Sequence, residues 1–181
     1  RPVGCLLSGG VDSSLVAAVL SRELTRLGRP VTDLRTYSVG MPGSVDLLFA
    51  QKVAEHLGSD HHTIELSEAD FLAAVPATVY HTESFDTTTV RASVGNLLVS
   101  QYIARETEDR VIFVGDVADE VFGSYRGFAR APSRQAFAEA NTDMLQQIHY
   151  FDVLRSDRTI SAAGREARVP FADEAVGKCC M

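Results

Sequence analysis

The sequence predicts an α/β fold: a doubly wound, mainly parallel sheet with flanking helices and a helical C-terminal part. Three observations carry that prediction. Short apolar runs suited to strands alternate with amphipathic helical stretches from Val3 to Phe122. Glycines punctuate the joints, at Gly28, Gly58 and Gly115. Two polar, glycine-bearing turns, Ser8 to Ser14 and Gly115 to Glu120, each follow directly on a strand-like run. In this fold class ligands sit beyond the carboxyl ends of the strands, so both turns are expected at one crevice.

Val3 to Leu7 reads as a central strand, followed by a helix from Asp12 to Leu27 whose Leu15, Val19, Leu20, Leu24 and Leu27 share a face until Gly28 stops it. Leu34 to Val39 reads as a second strand, with Gly40-Met41-Pro42-Gly43 as the loop at its end. A helix from Asp46 to Leu57 closes at Gly58, and His62 to Leu66 supplies a third strand. Ser67 and Asp70 have capping-box spacing and open a helix with a Phe71, Val75, Val79 core stripe, which Pro76 is expected to kink or interrupt. Thr82 to Thr89 reads as a polar loop, Val90 to Glu106 as a long helix, Val111 to Val114 as the next strand and Ala118 to Phe122 as a short helix. Pro132 to Asp157 is helical in pattern, and the compact segment Glu166-Ala167-Arg168-Val169-Pro170-Phe171 follows. There is no internal repeat.

At 181 residues, with 45% hydrophobic residues, the chain suits one domain with a sizeable core, spanning residues 1–181. Acidic residues outnumber basic ones, 24 to 17, for a net charge of −7, and no Lys/Arg run could follow a phosphate backbone, so nucleic acid is not an expected partner. No apolar stretch has the length of a membrane span and no signal-peptide pattern opens the chain. The three cysteines, Cys5, Cys179 and Cys180, offer neither a disulfide framework nor zinc spacing, which predicts a reduced, cytoplasmic setting. Arg1-Pro2 leads straight into the first strand without an initiator Met, and Gly177 to Met181 closes without an obvious terminal element. The chain is therefore expected to be a piece of a longer protein. His61 and His62 are adjacent in a strand and point to opposite faces, an arrangement unsuited to one metal ion.

The segment Ser8-Gly9-Gly10-Val11-Asp12-Ser13-Ser14 has the make-up of an anion cradle. Glycines let the backbone approach an anion closely, successive N–H groups form a nest, and the following helix points its positive end at the bound oxygens, with Ser8, Ser13 and Ser14 adding hydroxyls. No lysine follows the glycines, so the pattern that grips β- and γ-phosphates for terminal phosphoryl transfer is absent, and the loop suits pyrophosphate instead. Its fixed positions would recur by chance in a chain of this length with a probability on the order of 10⁻⁴. In the acid-rich turn Gly115-Asp116-Val117-Ala118-Asp119-Glu120, Asp119 is the expected partner of Asp12 in holding magnesium, a hard cation that takes one or two carboxylates plus phosphate oxygens. A plainer reading, in which both acids simply cap helices, stays open here.

The Ser8 to Ser14 loop, Asp86-Thr87-Thr88-Thr89-Val90-Arg91-Ala92-Ser93, Ala118-Asp119-Glu120-Val121-Phe122-Gly123 and the Glu166 to Phe171 segment resemble in order and spacing the synthetase domain of glutamine-dependent asparagine synthetases. That family belongs to the PP-loop ATP pyrophosphatases, with an adenine nucleotide alpha hydrolase-like fold. Gly40 to Asp46, Glu55-His56-Leu57-Gly58 and His61-His62 also look like this branch. The resemblance implies ATP-dependent amidation of aspartate to asparagine through a β-aspartyl-adenylate, releasing AMP and pyrophosphate, with ammonia drawn from glutamine by a glutaminase domain of the full-length protein. It implies that Ser8, Gly9, Gly10, Asp12 and Ser13 form the pyrophosphate loop and that Leu6, Val39 and Gly115 line the adenosine pocket. Asp12 and Asp119 would hold Mg2+. Thr88 and Arg91 would act near aspartate and its acyl-adenylate, Arg91 as a forked cation for a carboxylate or α-phosphate, with Asp116 and Glu120 as further catalytic carboxylates. ATP and Mg2+ are thus the expected cofactors, and aspartate and ammonia or glutamine the small-molecule partners, with no membrane partner and a homodimer left open. β-Lactam-forming relatives share these motifs, and a nucleotide-binding domain that has lost catalysis is a further alternative.

The chain also departs from the family pattern. Where the family usually has Ser-Gly-Glu-Gly-Ala-Asp-Glu, this sequence has Val114-Gly115-Asp116-Val117-Ala118-Asp119-Glu120. Asp116 keeps the charge with a shorter reach, and β-branched Val117 disfavours the positive φ that glycine supplies. A lysine that the family presents beyond the Val-Pro-Phe segment has no counterpart, since only Lys178 follows. The glutaminase nucleophile is likewise not replaced by Cys5, which lies within a strand.

Overall fold

Val3–Leu6, with its two middle residues Gly4 and Cys5 buried, forms β1 at the centre of a parallel sheet in the computed structural model, which describes residues 3–180. Leu34–Gly40 (β2), Asp60–Glu65 (β3), Val111–Phe113 (β4) and Glu166–Arg168 (β5) complete it in the order β3-β2-β1-β4-β5. Register pairs Cys5 with Thr36 on one side of β1 and with Phe113 on the other. From β1 the chain winds outward to β2 and β3, then returns to lay down β4 and β5 on the opposite side. The strand order therefore reverses between β1 and β4, and that switch point is where such sheets open a crevice.

The helices are α1 (Val11–Arg26), α2 (Val45–Leu57), α3 (Glu68–Thr82), α4 (Thr87–Glu106), α5 (Ala118–Phe122), α6 (Arg134–Gln147), α7 (Asp152–Ala162) and α8 (Glu174–Cys180). One face of the sheet buries Cys5, Leu7 and Leu34 against Val16, Ala17 and Leu24 of α1, Ala50 and Ala54 of α2 and Val121 of α5. The other buries Tyr37, Ile64, Ile112 and Val114 against Val99 and Ile103 of α4 and Ile160 of α7, with α3 packed on both of those helices. Both faces are covered, which is why the strands read as apolar runs. His61 sits between the hydroxyls of Thr36 and Ser38, while His62 stacks on Tyr37, as the alternation of the strand requires.

Three expectations change. Pro76 does not interrupt its helix: α3 runs unbroken behind a Ser67–Asp70 capping box. Both Pro76 and Leu72, whose carbonyl loses its partner, are exposed, so water can take the freed oxygen. Glu166–Arg168, in the compact segment to which the sequence assigned no element, is an edge strand, and its two charged residues are exposed. The stretch from Pro132 to Asp157 is two helices, broken by a 3-10 turn and by Phe151 at φ −122°, ψ −97°.

Gly9 fixes the phosphate-loop candidate against α2. Its φ is +78°, and a Cβ there would lie 2.5 Å from the Ala50 nitrogen. Gly28 has a similar φ, +68°, but open space around it. Gly9→Ala is therefore expected to cost about 3 kcal/mol, the sum of left-handed strain and a backbone collision, and Gly28→Ala only about 1 kcal/mol. Urea unfolding of the two variants measures this, and equal losses would refute the packing argument.

Candidate active site

The loop from Leu7 to Gly10 turns between β1 and α1 through the left-handed Gly9. Serine hydroxyls hold it: Ser8 N–H donates to Ser13 Oγ at 3.2 Å, the two hydroxyls are 3.0 Å apart, and Gly10 N–H donates to Ser8 Oγ at 3.3 Å. Gly10 is the N-cap residue of α1, with no side-chain cap, which keeps the helix terminus open to a ligand's oxygens. The simple cap reading of Asp12 fails on this geometry, because Asp12 lies within the first turn. It fails for Asp119 too, since Val117 occupies the N-cap position of α5 without a side-chain cap.

The turn after β4 packs directly on this loop. A Cβ on Gly115 would lie 2.7 Å from the Ser13 nitrogen, so only glycine allows the backbones to meet. Together the two turns wall a crevice of about 210 Å³ lined by Leu6, Ser8, Gly10, Asp12 and Ser13 from one side and residues 114–120 from the other. Burial raises the pKa of Asp12, and the negative charge of Asp119 raises it further. Neither carboxylate has a basic partner within ion-pair distance among the described residues. Asp119 accepts a hydrogen bond from Ser124. Two uncompensated carboxylates beside an anion cradle are a donor set that fits a hard divalent cation.

The far wall comes from α7, a contribution that sequence reasoning missed. Arg155 pairs with Asp152 and lies 3.7 Å from Asp116, whose other oxygen accepts a hydrogen bond from Ser156. Burial raises the pKa of Asp116, opposed by Ser156 and Arg155. Glu120, 3% exposed, accepts a hydrogen bond from Tyr125, and burial followed by the neighbouring Asp152 carboxyl pushes its pKa up to about 7. The one available signal was the i, i+3 spacing of Asp152 and Arg155, and no glycine or proline marks the helix break that exposes it.

The other expected site residues separate. Thr88 lines an adjoining cavity of about 520 Å³ with Thr89, Met144, Ile148 and Phe151, which shares Glu120, Tyr125, Asp152 and Arg155 with the crevice. Val39 packs towards α4, its Cγ1 3.6 Å from the position of a Gly95 Cβ, and is not among the residues lining the crevice. Arg91 is exposed and lines an apolar depression with Phe71, Val75, Val79 and Phe85, apart from the crevice. The cause is helical register. Because α4 begins at Thr87, Arg91 is already one turn inside it, on the side that Thr87, Val90 and the buried Val94 turn towards α3 and away from the crevice. Cys5 is fully buried in the core and its thiol pKa is pushed up to about 12, which removes it as a nucleophile.

A doubly wound sheet with a glycine-bearing loop and an acidic turn meeting at its switch point defines an α/β domain of the class whose ligands sit beyond the strand ends. Comparison makes the class specific: the asparagine synthase family model matches residues 1–143 and 133–181, and this chain belongs to that family. It is 47% identical to the glutamine-hydrolysing asparagine synthetase of Gallus gallus over 96% of this chain and 31% of the relative. The human enzyme of the same name is 45% identical over the same shares. The chain thus spans about a third of the length of the curated relatives it matches. A solved NMN synthetase from Francisella tularensis is similar at a TM-score of 0.44 and 21% identity, over 68% of this chain and 49% of that one, a likeness too distant to bear on function. No helix among the described residues is long and apolar enough to cross a membrane.

Glu120 gives the site a pH signature. Between its ordinary pKa of 4.5 and about 7 the folded protein holds a proton that the unfolded chain releases, so this group lowers stability as pH rises through that window. Glu120→Gln keeps an acceptor for Tyr125 and is expected to flatten the fall. Urea midpoints from pH 4.5 to 7 measure it, and parallel profiles for parent and variant would place the Glu120 proton elsewhere.

Proposed function

We propose that this chain is the ATP-using synthetase part of an enzyme that amidates aspartate. The observation that carries the reading is the meeting of the Ser8 to Ser14 cradle and the Gly115 to Glu120 turn at one switch-point crevice, in a chain of the asparagine synthase family. In the proposed reaction the aspartate β-carboxylate attacks the α-phosphorus of ATP, the bond to the β-phosphate's bridging oxygen breaks, and pyrophosphate leaves. Ammonia then attacks the β-aspartyl-adenylate, loses a proton and expels AMP.

Each role follows from chemistry already described. Backbone N–H groups of Gly9, Gly10 and the start of α1, with the Ser8 and Ser13 hydroxyls, would hold the departing pyrophosphate, where charge grows as the bond breaks. Leu6 and Gly115 would border the adenosine, with Val39 behind them. Asp12 and Asp119 would hold magnesium, which supplies neutralisation of the phosphate charge. Aspartate would enter from the Thr88 side. Arg155 is the arginine that lines the crevice, which favours it over Arg91 as the carboxylate clamp in this arrangement. Glu120 and Asp116 would set the polarity of the wall beside the adenylate. The names of the relatives support glutamine, hydrolysed by another part of a longer polypeptide, as the ammonia source. A cytoplasmic location suits the free Cys5 and Cys179 thiols.

The test is AMP and asparagine formation from ATP, aspartate and either ammonia or glutamine, by the complete polypeptide that carries these residues. Aspartate-dependent AMP is expected, and its absence overturns the proposal. Asp12→Asn keeps the shape of the side chain and removes a ligating charge, so it is expected to weaken magnesium-dependent ATP binding at least about tenfold. Calorimetric titration at several magnesium concentrations reads this directly. An affinity equal to the parent's throughout would remove Asp12 from the metal site.

A further inference from the structure

Val117 adopts φ +78°, ψ −11°, a left-handed conformation in which a β-branched side chain is crowded by its own backbone. Only one other non-glycine residue among those described, Glu83, has positive φ. Such strain persists where the surroundings over-determine the backbone. At Val117 they do so on three sides. The preceding Gly115 is pressed onto α1 at Ser13, and the Val117 side chain is buried in the core with Ala118 and Val121. Between these, Asp116 is tied to α7 through both carboxylate oxygens, by the Ser156 hydroxyl on one and by Arg155 on the other. Ser156 is completely buried, and its hydroxyl donates its one proton to Asp116.

We propose that Ser156 is a positioning residue, which by holding Asp116 against α7 keeps the turn through Val117 left-handed and Asp119 turned towards Asp12. The two departures from the family motif are then a matched set. A glycine at position 117 adopts positive φ without help, whereas valine needs the residue before it anchored, and the short Asp116 carboxylate meets its anchor on α7. The role assigned to Asp119 rests on the function proposed above, while the coupling between Ser156 and Val117 stands on geometry alone.

The experiment is a double-mutant cycle of Ser156→Ala and Val117→Gly, read in two ways. In the complete polypeptide, Ser156→Ala is expected to raise the magnesium concentration for half-maximal AMP formation about tenfold, the scale on which groups supporting a metal ligand act. The rate at saturating magnesium should be largely kept. Combined with Val117→Gly the magnesium shift should disappear, because glycine holds the turn unaided. Urea unfolding provides the second readout: Ser156→Ala should lower the midpoint more in the parent than in the Val117→Gly background, and the loss of the buried valine side chain cancels in the comparison. Equal losses in the two backgrounds, in magnesium dependence or in urea, overturn the positioning role. A parent protein that forms no aspartate-dependent AMP overturns the proposed function instead, and the urea cycle then decides the coupling by itself.

Discussion

The crevice depends on one close approach, that of the Gly115 backbone to the first turn of α1. A single methyl group there would stand 2.7 Å from the Ser13 nitrogen, so any side chain would push β4's turn off the loop that follows β1. Everything at the site inherits its position from that contact. Ser8, Gly10, Asp12 and Ser13 share one crevice with the acidic turn because the two backbones touch, and Asp12 feels the charge of Asp119 for the same reason. The parallel pairing of β1 with β4 brings the strand ends level, and the glycine then closes the last few ångströms.

The electrostatics follow from this closeness. Asp12, Asp116, Asp119, Glu120 and Asp152 line one crevice, with Arg155 the single cation facing them among the described residues. Burial and mutual repulsion raise the pKa values of Asp12, Asp116 and Glu120 together. A site of this kind trades stability of the empty protein for affinity. The Arg155 pairings with Asp152 and Asp116 offset part of that charge.

Much of this was legible in the sequence, and for identifiable reasons. Four strands, the glycine loop after the first of them and the acidic turn are contiguous segments whose character is local: apolar runs, glycines at joints, hydroxyls and acids in fixed spacing. The valine at a position calling for positive φ was legible as well, since the conflict lies between a residue type and a backbone requirement. What escaped has a common cause, dependence on contacts far along the chain. β5 is three residues long with two charges, and only pairing with β4 makes it a strand. The break at Phe151 carries no glycine or proline, so nothing local announces that Asp152 and Arg155 begin a new helix facing the crevice. Arg91 reads as a site residue by motif, yet the start of α4 at Thr87 turns it outward.

The contribution of α7 to the wall has a consequence for how the protein comes to be folded. The loop after β1 and the first turn of α7 lie near opposite ends of the chain, and β5, which ties α7 to the sheet, pairs in parallel at the edge. Yet the pairing of β1 with β4 closes the chain from Gly4 to Ile112, whereas Ser156 meets Asp116 only 40 positions away, and the shorter closure costs less entropy. The acidic turn and α7 can therefore associate before β1 reaches β4, leaving the loop after β1 and the turn apart until the sheet closes. A ligand that bridges the loop and the turn would favour the closed state over that earlier one, so the substrate itself would act as a chaperone for the last step of assembly.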